Sequence, residues 1–250
     1  MENCAEIREL SVSFNGRTAL DSISADIPKD GITVLLGRSG SGKTTLLRTL
    51  NRLNETFSGY CGSGGVKLLL DGNMTDAYSG AISLTELRRR VGMVFQTPNP
   101  LPVSIRKNMT LPMQLVLRLG KREAEARMEE ALRAVGLWNE VRDRMSAPAM
   151  SISGGQQQRL CLARALTLEP DILLLDEPTA SLDKKSAELI EEHLLSLKGK
   201  YPMIMVSHSL TQAQKLADRF IALRDGKIAA APEKSGLPEY GGEAALAALL

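Results

Sequence analysis

Aromatic side chains are scarce, at 4% of 250 residues with a single Trp, so the few that stand near a motif carry weight. Cysteine is rarer still. Cys4, Cys61 and Cys161 fall at no paired spacing, which excludes a zinc cluster or a disulfide framework and fits a reducing cytosol. No segment approaches the run of about 18 apolar residues that spans a bilayer, and Met1–Glu6 lacks the basic start and apolar centre of a signal peptide. Any link to a membrane is therefore expected to pass through another protein. Charge of one sign is missing too: 31 basic and 29 acidic residues leave +2, no electrostatic case for nucleic acid as the main partner. There is no internal repeat and no long low-complexity run. What is present is 43% hydrophobic residues, enough for one large α/β domain or a domain with a sizeable insertion.

Within that frame the most informative stretch is Gly37-Arg38-Ser39-Gly40-Ser41-Gly42-Lys43-Thr44-Thr45, which fits the G-x-x-x-x-G-K-[ST] phosphate-binding loop at every required position. The apolar run Ile32 to Leu36 before it reads as a buried strand, and Thr44 to Leu53 has helical spacing. A strand, a loop and a helix form the context the motif needs. Inward-turned N–H groups and a helix N-terminus suit phosphate oxygens, Lys43 adds a point charge, and the Thr44 hydroxyl can ligate magnesium.

Around the loop, Ile7 to Phe14 and Ile23 to Ile27 alternate about the turn signal Asn15-Gly16 and predict antiparallel strands. Phe14, at a strand end, suits either an adenine ring or the core. The Gly/Ser/Asn-rich stretch Asn54 to Gly65 reads as a loop before a short strand, Val66 to Leu70. Val91 to Phe95 predicts a buried strand ending at Gln96; Pro98, Pro100 and Pro102 then exclude regular helix or central strand. From about 101 to 168 no strand is evident, and Ala124, Met128, Ala131, Leu132 and Val135 give one helix an apolar face, so this segment reads as a helical insertion. Ser153 is placed as the N-cap of a helix whose first residues, Gly154 and Gly155, leave N–H groups open to an anion. Ile172 to Leu175 reads as a buried strand tipped by Asp176 and Glu177: in a phosphate-loop protein the first carboxylate holds the magnesium shell and the second is free to act on water. His193 reads as a surface residue of the following helix. Ser207-His208 ends another short strand, at the sheet edge where α/β ligands bind, and Arg219 to Ala230 predicts a hairpin about Asp225-Gly226.

Taken together, Gly37 to Thr44, Gln96, Ser153 to Gln156, Asp176-Glu177, Ser181 to Asp183 and His208 follow the order and spacing of the ATP-binding cassette (ABC) ATPases, which the chain resembles to about residue 230. Leu50 to Asn54, Val91 to Ile105, Leu137 to Arg144 and Ser153 to Cys161 are further similar to the phosphate-import ATP-binding (PstB-like) family, with departures at Ile152, Ala180-Ser181, Lys184 and the tail. The resemblance implies a P-loop NTPase of α/β class over residues 1–230, with an N-terminal antiparallel β subdomain, a helical subdomain at about 101–168, and a tail at 231–250. It implies ATP with Mg2+: Phe14 against the adenine, Gly37 to Thr45 around the phosphates, Thr44, Asp176 and Gln96 for the metal and its waters, Glu177 as general base, and His208 at the γ-phosphate. Ser153, Gly154, Gly155, Gln156 and Asp183 would join the nucleotide in a head-to-tail pair of identical cassettes. By the same resemblance the partners are a second cassette, membrane permease subunits met through the segment near Pro98 to Lys107, and indirectly a solute-binding protein, at the cytoplasmic face of the cell membrane. Importers of another solute, such as an amino acid or phosphonate, are the alternative; a soluble non-transport ABC ATPase fits less well, for want of basic extensions or coiled-coil insertions.

Overall fold

The computed structural model describes residues 2–232; most of the expected tail at 231–250 lies outside the described residues. The chain forms two compact units. One comprises the described residues up to Val91, Asp171–Asp176 and the described residues from Lys198 onward, the other Gly92–Pro170 and Glu177–Leu197.

Strands β1 (Asn3–Phe14) and β2 (Arg17–Pro28) pair antiparallel about Asn15 and Gly16, both at positive φ (49° and 78°), the backbone of a tight hairpin whose twist matches its strands. All five residues of β3 (Ile32–Leu36) are buried, and helix α1 (Lys43–Thr49) follows it. Strand β4 (Tyr60–Leu70) then pairs with β1 and with β5 (Asn73–Asp76), completing a sheet in the order β2-β1-β4-β5.

Here the structure corrects the sequence reading: the second half of the Gly/Ser-rich stretch expected as a loop, from Tyr60 onward, is strand, with Phe14 opposite Tyr60 and Val12 opposite Gly62. The reason is β1. Its register shifts between Arg8 and Ser11, Glu9 adopts φ 47°, and a Cβ on Gly64 (φ +98°) would lie 2.5 Å from the Glu9 carbonyl. The glycine serves a bulge and a close backbone approach, which composition alone reads as a turn.

Helix α2 (Leu84–Arg90) is capped by the Ser83 hydroxyl, which accepts from Glu86 N–H, and ends on Arg88, Arg89 and Arg90, complementing its dipole. After β6 (Val91–Val94) the second unit is helical: α3 (Ile105–Val116), α4 (Lys121–Ala134), α5 (Trp138–Val141) and α6 (Gly154–Leu166). Ala124, Met128, Ala131 and Leu132 bury one face of α4 at the expected period.

The chain returns to the first unit as β7 (Ile172–Asp176), wholly buried, leaves it for α7 (Lys184–Leu197), and comes back as β8 (Met203–Val206), α8 (Leu210–Leu216), β9 (Arg219–Arg224) and β10 (Lys227–Ala230). In the first unit β10, β9, β3, β8 and β7 lie side by side, parallel except for the terminal hairpin. Continuous apolar runs such as Ile172–Leu175 suit parallel strands covered on both faces. In the second unit His193, read from sequence as a surface residue, is part-buried on α7 and packs close to Gly136, where a Cβ would lie 2.6 Å from its Nε2.

Candidate nucleotide site

Between β3 and α1 the loop Gly37 to Gly42 turns at Gly40 (φ +79°) and Gly42 (φ +100°). Gly42 is fixed by crowding as well as by φ, since a Cβ there would meet the Ala19 carbonyl and Leu20 Cδ2, both at 2.7 Å. The Ser41 carbonyl accepts from Gly226 N–H in the β9–β10 turn, tying the loop to the end of the sheet. Lys43 is only 4% exposed, and its ammonium donates to the carbonyls of Gly37 (2.8 Å) and Arg38 (2.9 Å), so its charge is held inside the loop. The buried Ser41 hydroxyl has no hydrogen-bond partner among the described residues.

Asp176, at the tip of β7 and 4% exposed, accepts from the Thr44 hydroxyl at 2.9 Å, and Arg48 Nη2 lies 3.3 Å from its other oxygen. One carboxylate and one hydroxyl at the mouth of a phosphate loop form a hard oxygen set. That fits Mg2+, which keeps several waters and takes the rest of its shell from phosphate oxygens. No cluster of three or more His, Cys, Asp or Glu side chains suited to a metal occurs among the described residues.

Beside this set, Phe14, Thr45, Arg48, Asn54, Phe57 and Ser58 line a cavity of about 340 Å3. The half-buried Phe14 ring meets Phe57 edge-on at 6.2 Å and Tyr60 at 6.0 Å, while Arg48 lies 5.5 Å over Phe57. Phe14 is thus both an aromatic-cluster residue and a cavity wall. Arg38 and Ser39 are exposed on the loop, and His208 is exposed just beyond β8.

The second unit carries the other candidates. Ser153 caps α6 through a reciprocal box: its hydroxyl accepts from Gln156 N–H, and Gln156 Oε1 accepts from Ser153 N–H at 3.0 Å. Gly154 is exposed; Gly155 is buried, with room for no side chain because a Cβ would lie 2.5 Å from Ser186 Oγ. Gln156 Nε2 donates to Glu140 Oε2 at 2.7 Å, and Arg159 donates to Glu140 Oε1 at 2.7 Å and to the Gly136 carbonyl. Burial opposes ionisation of Glu140, yet the hydrogen bonds from Arg159 and Gln156 hold its carboxyl below the usual range. Asp183 caps α7, accepting from Ser186 N–H and from its hydroxyl at 2.7 Å, and these bonds keep it ionised below its ordinary pKa. Gln96 is exposed and Glu177 half-buried, the latter at φ 48°, a conformation uncommon for a residue with a side chain.

Sequence reasoning passed over Arg48, Glu140 and Gln158. Gln158, 1% exposed, donates to the carbonyls of Phe95 (2.9 Å) and Pro178 (3.0 Å). Its signal was available as a polar residue in register with buried Gly155 and Leu162 on the inner face of α6.

A loop of the phosphate-binding sequence with a carboxylate and a hydroxyl at its end, in a chain that also opens a helix with Ser-Gly-Gly-Gln, is the pattern of a nucleotide-hydrolysing cassette. The ABC transporter family description matches residues 20–180, and the chain belongs to that family as one of its ATPases. Its relatives include the phosphate import ATP-binding protein PstB 1 of Nitrosococcus oceani, 46% identical over 85% of this chain and 75% of that protein. PstB 2 of Mycobacterium tuberculosis is 45% identical over 88% and 78% of the two chains. Among solved structures, an ATP-binding cassette in a dimeric, post-hydrolysis state bound to ADP and phosphate is 28% identical, covering 93% of this chain and all of that one, with a TM-score of 0.77.

Proposed function

We propose that this chain is the ATP-hydrolysing motor of an importer for inorganic phosphate, working as a pair of identical cassettes on a membrane permease. One observation carries the paired reading. Among the described residues, the helix starts at Gly42-Lys43 and at Ser153-Gly154-Gly155 both suit an anion by sequence, and of these two the first has a lysine and hard oxygens. The second is complete as an anion contact only if the nucleotide comes from elsewhere, and a second copy supplies it. The dimeric cassette with ADP and phosphate supports the same arrangement.

In this reading the N–H groups of Gly37 to Thr45 and the Lys43 ammonium hold the β- and γ-phosphates, and Phe14 bounds the adenine space. Thr44, Asp176 and Gln96 hold Mg2+ and its waters. When bound, Mg2+ neutralises charge on the phosphate oxygens of an in-line transfer. Glu177 accepts the proton of the attacking water, His208 contacts the γ-phosphate, and Ser153 with Gly155 approaches it from the partner chain. Asp183 lies at the same junction. Apart from that proton transfer, catalysis is positioning and charge stabilisation. Gln96, followed by Pro98, Pro100 and Pro102, passes the state of the γ-phosphate to the permease through the segment ending near Lys107. Hydrolysis releases the pair.

The substrate reading is supported by the names of the relatives, which are phosphate import proteins. Among the described residues no helix is long and apolar enough to cross a membrane. In this reading the chain works at the cytoplasmic face through its permease, with a solute-binding protein reached only indirectly. The test is uptake of labelled orthophosphate by phosphate-starved source cells carrying wild type or Glu177→Gln, with a labelled amino acid as control. Selective loss of phosphate uptake is the expected result. Normal uptake of both solutes would overturn the phosphate reading, and loss of amino-acid uptake alone would favour an amino-acid importer.

A further inference from the structure

Three stretches assigned separate roles above meet at one side chain. Gln158 sits on α6, two residues past Gln156, and its Nε2 donates to the carbonyls of Phe95 and Pro178. Both partners are carbonyl oxygens, so the amide nitrogen must face them, and the orientation of the group is dictated by its neighbours. Phe95 precedes Gln96 and Pro178 follows Glu177. Each bond therefore fixes the backbone one residue away from a group assigned to the chemistry.

The setting favours a positioning use over a packing one. Gln158 is 1% exposed, and its Oε1 has no hydrogen-bond partner among the described residues. A buried amide oxygen without a partner is costly, and an aliphatic side chain would fill the same space without that cost. Its return is the pair of donors. Glu177 at φ 48° holds a backbone conformation that persists only where its surroundings over-determine it, and a bond to the very next carbonyl is such a restraint.

We propose that Gln158 is the positioning residue that sets the Glu177 carboxylate and the Gln96 amide against the same phosphate and links both to the helix that begins at Ser153. The proposal rests on the roles given to Glu177 and Gln96 under the proposed function. A shift of α6 is then transmitted to the base and to the segment that leads toward the permease through one amide, and the phosphate loop, whose lysine is held by its own carbonyls, keeps its affinity.

The test is steady-state hydrolysis of Mg·ATP by the full chain, with thermal unfolding run in parallel. Gln158→Leu, which keeps the packing and removes both donors, is expected to lower kcat by about 10- to 100-fold with KM for ATP nearly unchanged, the scale of a small misplacement of reacting groups. Added to Glu177→Gln, it should lower the residual turnover no further, since both act on one step. Gln158→Glu keeps the shape, donates once when protonated and repels both carbonyls when ionised, so its kcat should exceed that of Gln158→Leu at low pH and fall to or below it as pH rises. Folded Gln158→Leu with wild-type kcat would overturn the proposal, as would a raised KM at unchanged kcat. Near-wild-type turnover by Glu177→Gln would overturn the base assignment itself, whereas a dead Glu177→Gln beside a normal Gln158→Leu would sink this proposal alone.

Discussion

Lys43 and Glu177 are both charged groups next to a nucleotide in the proposed site, yet they should fail differently when removed. Lys43 is buried and already bonded to the Gly37 and Arg38 carbonyls, so it shapes the loop as well as neutralising phosphate. A charge-assisted hydrogen bond contributes about 1.5–3 kcal/mol. Lys43→Ala should therefore weaken binding of a fluorescent ATP analogue by about 10- to 100-fold; unchanged affinity in titration would count against the loop as the phosphate site. Glu177→Gln keeps size and hydrogen-bonding capacity but cannot take a proton. It should bind ATP with wild-type affinity, lose nearly all hydrolysis and accumulate as an ATP-bound dimer, and turnover near the wild-type rate would remove Glu177 from the role of base. Residues of this kind were legible because each motif fixes identity and position together. Phe14 was not settled by its sequence, since an aromatic at a strand end suits a ligand face or a cluster equally, and its actual neighbours, Phe57 and Tyr60, come from a segment that sequence alone read as a loop.

At the scale of elements, the start of α6 joins stability to function. Its cap is a closed box between Ser153 and Gln156, and Gln156 is held in turn by Glu140, which Arg159 also engages. Ser153→Ala should cost about 1 kcal/mol of stability, the usual worth of a lost N-cap; denaturant midpoints that do not move would show the cap to be idle. Glu140 adds a pH dependence of known sign. Its folded pKa is depressed, so its contribution is present above the unfolded carboxylate value of about 4.3 and is lost as pH falls through the folded value. The stability gap between wild type and Glu140→Gln should be constant from about pH 6 to 8 and shrink below about pH 4. A gap independent of pH down to acid unfolding would refute the pairing. The box was readable from Ser153 and its helical context, but Glu140 lies 16 residues from Gln156 and only tertiary packing brings it there. The same limit explains β4: the glycines that admit a bulge of β1 have the composition of a turn, and the partner that makes them a strand lies about 50 residues earlier.

At the scale of the whole molecule, sharing the nucleotide between two copies makes hydrolysis depend on encounter. If each nucleotide lies between the phosphate loop of one copy and the Ser153 helix of another, a lone chain is inactive however well it binds ATP. Turnover per chain should rise with protein concentration in the dilute range and level off once pairs predominate, while a dilute lone chain still binds the ATP analogue through its phosphate loop, with an affinity that tightens as pairs form. A mixing experiment separates sharing from simple aggregation. Lys43→Ala keeps an intact Ser153 helix, and Ser153→Arg keeps an intact phosphate loop but drives a bulky cation into the contact. Each alone should be nearly inactive, yet a mixed pair contains one complete nucleotide position, so equal amounts combined should hydrolyse ATP well above the mean of the two parents. Activity of the mixture equal to that mean, with turnover per chain flat across concentrations, would mean that one chain completes its own site, and the Ser-Gly-Gly-Gln helix start would then need a different ligand.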